Sequence, residues 1–278
     1  MKKALKNLNP SEVRRESGRE LRVALVSYSP EVLWKMESYL CPPELSQSKR
    51  AQVSNMLYRV TPEGRTGGYD LELWDESMPC SANAFPFDAA RPERTVAEVL
   101  ERRFDLALRL ARNFPPFRKP VIDTVIRSVS KENALFSMAT ALPDIVPLIS
   151  LPWALGEFAS DTAFLTMNQI RMAFLIAAAS DAGVGYKEQR SQIGSIVAGA
   201  FGFRAIAREL VAKIPFGGGL IPKAAIAWSG TWVIGRSLER LYGLGYAYTR
   251  EERSSLLVQV LGKGRATAAS LLRRGEAA

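Results

Sequence analysis

The sequence contains no histidine. That removes Ser-His-Asp and Cys-His activation of a nucleophile and every histidine-ligated metal site. Cysteine is scarce. Cys41 and Cys80 stand alone, with no C-x-x-C pair, so zinc and thioredoxin-type readings fail. Nothing in their placement argues for a disulfide, and reduced thiols are the expectation. The first residues are basic, but no apolar core follows the lysines, so no secretory signal is expected. Long uncharged apolar runs are also missing. A spanning helix needs about 20 mostly apolar residues, and here Arg171, Arg204, Arg208, Lys223 and Arg236 interrupt every candidate. Lys223 and Arg236 would stand about 20 Å apart along a helix, short of a hydrocarbon core about 30 Å thick. Amphipathic or partly inserted helices fit this spacing better than clean spans, and a wholly soluble bundle fits it too.

What remains is ample for folding. The chain has 278 residues, 47% hydrophobic and 23% charged, with a net charge of +9. It can build a core, and its basic excess favours anionic partners such as a phospholipid surface. Lys2, Lys3, Lys6, Arg14, Arg15, Arg19 and Arg22 crowd the start against Glu12, Glu16 and Glu20, while Lys263, Arg265, Arg273 and Arg274 crowd the finish. Two solvated charged ends explain this equally well. Aromatics interleave poorly with the basic residues and no nucleic-acid motif is present, so nucleic acid is not an expected partner.

The pattern predicts an α+β chain. Residues 1–20 read as a basic tail or loose helix. Residues 21–91 read as a small α/β domain. Its first strand is Leu21 to Ser27, β-branched and apolar. Ser29-Pro30 caps a helix that presents Leu33, Met36 and Leu40, and Pro42-Pro43 stops it. A second, polar helix is expected from Ser46 to Tyr58. Thr61 to Gly68 is a turn cluster, and Tyr69 to Glu76 alternates as a strand. Two or three strands are expected in all, with residues 77–92 as an irregular connector.

Residues 92–278 read as a helical domain. Pro92 sits at a helix start, Phe114 to Phe117 breaks the run, and a second helix starts near Pro120. Asp161 is placed to cap an almost all-round apolar helix. Two apolar runs then flank Pro215 to Pro222, predicting a helical hairpin. Gly194, Ala198 and Gly202 share one face of the first run; Ala227, Thr231 and Gly235 share one face of the second. Small residues at this spacing let helix backbones approach, in soluble bundles and in membranes alike. Thr249 to Glu252 has capping-box spacing before a last helix.

The order of motifs from about Asn133 to Tyr242 resembles a helical domain found after the GTP-binding domain of some Era-like GTPases and in the YcjF family of membrane-associated proteins. The residues that carry it are ALPDIVPLISLPW, then LTMNQIRMAFLIAAA, then RAIARELVAKIP (Arg204 to Pro215) and SGTWVIGRSLERLY (Ser229 to Tyr242). The resemblance implies membrane association at the cytoplasmic face and a GTPase or other protein partner. It implies no reaction. The front domain does not read as a GTPase: the first strand runs into SYSPEVLWKMESYL, with no glycine and no Lys-Ser/Thr pair to cradle phosphates. Phe216 to Lys223 is glycine-rich but reads as a helix–helix turn.

The expectation is therefore a non-enzymatic, membrane-associated module, with Arg204, Arg208, Lys213 and Lys223 meeting anionic headgroups. No catalytic residue, cofactor or metal is assigned, and the sequence leaves the oligomeric state open. The alternative is a soluble interaction module whose apolar helices are simply core. A carboxylate enzyme built on Asp70, Glu72, Asp75 and Glu76 is weaker, because a solvated strand face explains the same alternation.

Overall fold

A computed structural model describes residues 9–64, 67–140, 161–198 and 219–276. It has the expected α+β class, a small sheet first and helices after it. The chain divides into two compact units, Met1–Ile122 with Ala178–Ala182, and Asp123–Ala177 with Gly183–Ala278.

The first unit opens with α1 (Pro10–Ser17), where the Asn9 side chain accepts from the Ser11 amide at 3.0 Å. Strand β1 (Val23–Val26) follows, each of its four residues fully buried. Burial of both faces is why this segment reads as a continuous apolar run rather than an alternating one. Helix α2 (Pro30–Leu40) starts as its residues dictate. Ser29 Oγ accepts from the Val32 amide at 3.3 Å, and Pro30 occupies the first turn, where its missing N–H goes unused. Met36 and Leu40 are its fully buried residues.

Helix α3 (Gln47–Ser54) is capped by Ser46 and is shorter than expected. Leu57 and Tyr58, expected at its end, belong instead to β2 (Leu57–Val60). The turn cluster leads to β3 (Leu71–Asp75), and part of the expected irregular connector is β4 (Phe85–Phe87). All strand pairs are parallel, in the order β2-β1-β3-β4. One face of the sheet carries Ala24, Val26 and Trp74 packed with Ala84, and connector residues Tyr69 and Met78 help to cover it. Toward the other face lie Arg59 bound to Glu37 of α2, and Phe87 against Tyr39 of α2.

Helix α4 (Pro92–Arg102), a 3-10 turn (Phe104–Leu106) and α5 (Ala107–Asn113) complete this unit. The helical segment expected to begin a second domain at residue 92 thus packs with the sheet, and the compact boundary falls inside α6. Helix α6 (Pro115–Ala139) begins at the second residue of the Phe114–Phe117 break, not near Pro120, which lies inside it.

The second unit contains the rest of α6, α7 (Asp161–Ala179), helical residues 190–198 (α8), α9 (Leu220–Leu244) and α10 (Arg250–Glu276). Gly245 at φ +86° ends α9 in the left-handed region, donating to the Leu241 carbonyl at 2.8 Å. The Thr249 box closes reciprocally: Thr249 Oγ1 accepts from the Glu252 amide at 3.2 Å, and Glu252 Oε2 accepts from the Thr249 amide at 2.7 Å. These two devices fold α10 back along α9. Leu257, Val260 and Ala268 of α10 pack on Ala224, Trp228 and Val233 of α9 and on Ala134 and Met138 of α6.

The close helical pair is therefore α9 with α10. Gly194 and Ala198 are exposed, and a Cβ built on Gly194 would meet nothing within 4 Å. The approach expected of them to α9 is not made at these positions; Gly202 lies outside the described residues. The small-residue device operates elsewhere. Gly264 of α10 sits so close to α9 that a Cβ there would lie 2.3 Å from Ser229 Oγ and 2.8 Å from the Ala225 carbonyl oxygen. Gly235 lies against α6 and α7, where a Cβ would come within 2.7 Å of Ile126 and 3.1 Å of the Met172 sulfur.

Candidate functional site

Open parallel sheets bind ligands beyond the carboxyl ends of their strands, where the strand order reverses. Here that point lies between β1 and β3. Ser27, just past β1, donates to Asp75 Oδ2 at 2.8 Å, and the pair is buried. Asp75 Oδ1 accepts from the Ser77 amide at 3.0 Å and the Ser77 hydroxyl at 2.7 Å. Burial alone would push the Asp75 carboxyl up; hydrogen bonds from Ser77 and then Ser27 outweigh it and hold the group below its ordinary value. Ser27 Oγ also accepts from the Ser29 amide at 2.9 Å.

Asp88, beyond β4, is engaged in the same way. It accepts from the Ala90 amide at 2.8 Å, the Arg91 amide at 3.0 Å and Arg91 Nε at 3.1 Å. The polar groups at this edge thus bind one another and fasten the strand ends. Two aromatics stand exposed in this part of the chain, Tyr28 next to Ser27 at 60% and Trp34 of α2 at 61%.

The amino ends of β3 and β4 carry a cleft of about 830 Å³, lined by Tyr69, Asp70, Glu72, Phe85, Arg102 and Arg103 among others. Its size is that of a small-molecule site. Its charged groups are already committed. Asp70 accepts from the Arg22 amide at 2.9 Å and lies 3.6 Å from Arg109. Glu72 accepts from the Trp74 indole at 3.2 Å. Arg103 donates to the Asp70 carbonyl at 2.7 Å, and Arg102 lies over the Phe85 ring, 4.2 Å from its centre. Of the four carboxylates singled out from the sequence, Asp70 and Glu72 share this cleft, whereas Asp75 and Glu76 stand at the carboxyl end of β3.

In the helical unit, Thr231 is more than a small residue. Its hydroxyl accepts from Asn133 Nδ2 at 2.8 Å and from Gln169 Nε2 at 3.2 Å, and Asn133 Oδ1 accepts from Asn168 Nδ2 at 2.8 Å. This buried ladder ties α6, α7 and α9. Ala227 is half-buried. Lys223 is exposed in the first turn of α9; Arg204, Arg208 and Lys213 lie outside the described residues.

Two arginines that interrupt apolar runs in the sequence have internal partners. Arg171 pairs with Glu132 of α6, and Arg236 pairs with Asp123 and Glu239 while lying over Trp232. Burial alone would lower the Arg236 guanidinium; its hydrogen bonds to Glu239 and Asp123 outweigh that and raise it above its ordinary value. Sequence spacing could not reveal these partners except Glu239, one turn away on the same helix.

Among the described residues no helix is long and apolar enough to cross a membrane. Comparison with family models, with curated proteins and with solved structures finds no match to this chain.

Proposed function

We propose that the chain is a non-enzymatic module that rests against an anionic membrane surface, on its cytoplasmic face, and offers the α/β unit to a protein partner. The carrying observation is topological. Phe136 near the end of α6 stacks on Phe164 near the start of α7, with ring centres 3.8 Å apart. Met138 shares a core cluster with Ala224 and Ile221 at the start of α9. One end of the helical unit therefore gathers the points where residues 141–160 leave α6 and enter α7, and where residues 199–218 enter α9. Both stretches are rich in apolar residues, and the second carries Arg204, Arg208 and Lys213, which precede Lys223 in the sequence. Basic residues near an anionic surface each contribute about 1 kcal/mol.

A GTPase-linked partner rests on the resemblance of residues 133–242. The exposed Tyr28 and Trp34 supply the kind of aromatic surface on which protein contacts concentrate. A protein-interaction module with no membrane contact is the second reading; the internal pairing of Arg171 and Arg236 favours it, because those cations are satisfied without headgroups.

Flotation with vesicles containing phosphatidylglycerol separates the two. Wild type is expected to float at low salt and to be released by salt, while Arg204→Glu with Arg208→Glu remains folded and stays at the bottom. Equal flotation of wild type and double variant rules out the headgroup role of these arginines. A wild type that never floats leaves the interaction module.

A further inference from the structure

Two cations grip one carboxylate in the first unit, and a third stands within its electrostatic reach. Lys49 of α3 reaches Asp181 Oδ2 at 2.8 Å, and Arg112 Nε of α5 reaches Asp181 Oδ1 at 3.2 Å. Arg118, in the first turn of α6, feels the same carboxylate: burial lowers its guanidinium below the ordinary value, and Asp181 opposes the shift. The remaining partners of Lys49 are neutral, Asn113 Oδ1 at 3.2 Å and Gln52 Oε1 at 3.4 Å. Arg118 Nε is buried with no hydrogen-bond partner. The Lys49 side chain is only 11% exposed and that of Arg112 26%. Counted over these four side chains, three positive charges face one negative, a local excess of two. An added anion at this point gains Coulomb attraction from the unbalanced cations.

Asp181 itself sits at φ +59°, the only non-glycine residue with positive φ among those described. Aspartate tolerates this region better than most residues. Its backbone lies just past the end of α7, and its amide donates to the Ala178 carbonyl at 3.2 Å. The side chain is held in the recess from a turn, not from the middle of an element.

We propose that Lys49, Arg112 and Arg118 form a site for a phosphate monoester dianion, in which the Asp181 carboxylate occupies part of the anion's place. Arginine forks match the tetrahedral oxygens and lysine supplies a point charge. The incoming dianion takes the unused Arg118 N–H, shares Lys49 and Arg112, and displaces Asp181 toward solvent. The source is either a soluble phosphorylated compound or a lipid headgroup ending in a phosphate monoester. The site is independent of the membrane reading, since it uses none of Arg204, Arg208, Lys213 and Lys223.

The test is titration of the full chain with inorganic phosphate at constant ionic strength, read by calorimetry and by thermal shift. Wild type is expected to show saturable binding in the millimolar range. Asp181→Asn keeps the backbone conformation and removes the competing charge, so affinity should rise about tenfold. That tenfold corresponds to about 1.4 kcal/mol. Arg118→Met removes a buried unpaired N–H, remains folded, and should lose at least tenfold. A structural ion-pair cluster predicts the opposite for Asp181→Asn: lower stability and no gain in phosphate affinity. That result, or an unchanged phosphate response in Arg118→Met, overturns the proposal. If Asp181→Asn does not fold, the comparison of wild type with Arg118→Met decides alone. Glycerol 3-phosphate binding as tightly as inorganic phosphate assigns a soluble ligand. Flotation with phosphatidic acid vesicles, lost in Arg118→Met, assigns a headgroup. Failure of all three probes with folded wild type overturns the site.

Discussion

Gly264→Ala tests the contact on which the helical unit closes. The new methyl group would lie 2.3 Å from Ser229 Oγ, 2.8 Å from the Ala225 carbonyl oxygen and 3.4 Å from Trp228 Cε3. The serine hydroxyl can rotate away. The carbonyl cannot, because it belongs to the backbone of α9, so the two helices must separate around Trp228. Overpacking of this kind costs about 1–3 kcal/mol. Alanine also gains about 1 kcal/mol over glycine in a helix interior, which hides part of the loss. Gly262 supplies the control. It lies on the same helix, and a Cβ there meets nothing within 4 Å, so Gly262→Ala receives the propensity gain alone. The difference between the two variants isolates the packing term. At about 2–4 °C per kcal/mol for a unit of this size, Gly264→Ala should melt about 2–12 °C below Gly262→Ala by far-UV circular dichroism. Equal melting temperatures would show that α9 and α10 do not touch at Gly264.

Asp75 should make stability depend on acid. Its folded carboxyl lies below the ordinary value, so its contribution is present above that ordinary value, near 4, and is lost as pH falls through the lower folded value. Asp75→Ala should cost about 1–3 kcal/mol at neutral pH and flatten this part of the acid limb in denaturant titrations; an unchanged acid limb argues against the Ser27–Asp75–Ser77 knot. Thr231→Val keeps the shape but removes the acceptor of Gln169 Nε2 and the shorter of the two bonds from Asn133 Nδ2, which keeps the Leu165 carbonyl at 3.4 Å, at about 1–3 kcal/mol for each buried group left unpaired. Thr231→Ser should restore most of the loss in denaturant midpoint, and a neutral Thr231→Val would refute the ladder.

The legible parts of this fold were those written locally. Ser29-Pro30, Pro92 and the Thr249–Glu252 box declare helix starts through their own chemistry, and β1 declares itself by a β-branched run buried on both faces. The misread parts needed distant residues. Met56 and Leu57 continue a plausible helix period, yet pairing with β1 pulls Leu57–Val60 into the sheet. Phe85–Phe87 is three residues with a proline in the middle, too short to show a period, and pairing with β3 makes it a strand. Gly194 and Gly264 look alike as small helical residues; only the turn at Gly245 decides that α10 is the helix laid along α9. The cation recess was illegible for the same reason, since Lys49, Arg112, Arg118 and Asp181 are scattered along the chain.

The amide ladder has a consequence for how the helical unit reaches its native arrangement. Asn133 and Thr231 are 98 positions apart, and Gln169 and Thr231 are 62 apart, so their hydrogen bonds require long loops to close first. Helices as evenly apolar as α7 would otherwise collapse in several registers of similar energy. Sliding α7 by one turn moves Asn168 about 5.4 Å along its neighbour, away from Asn133, and leaves amides unpaired in an apolar interior. Every slipped packing therefore lies well above the native one, and the chain gains a gap between one bundle and its near copies that apolar contacts alone would not provide.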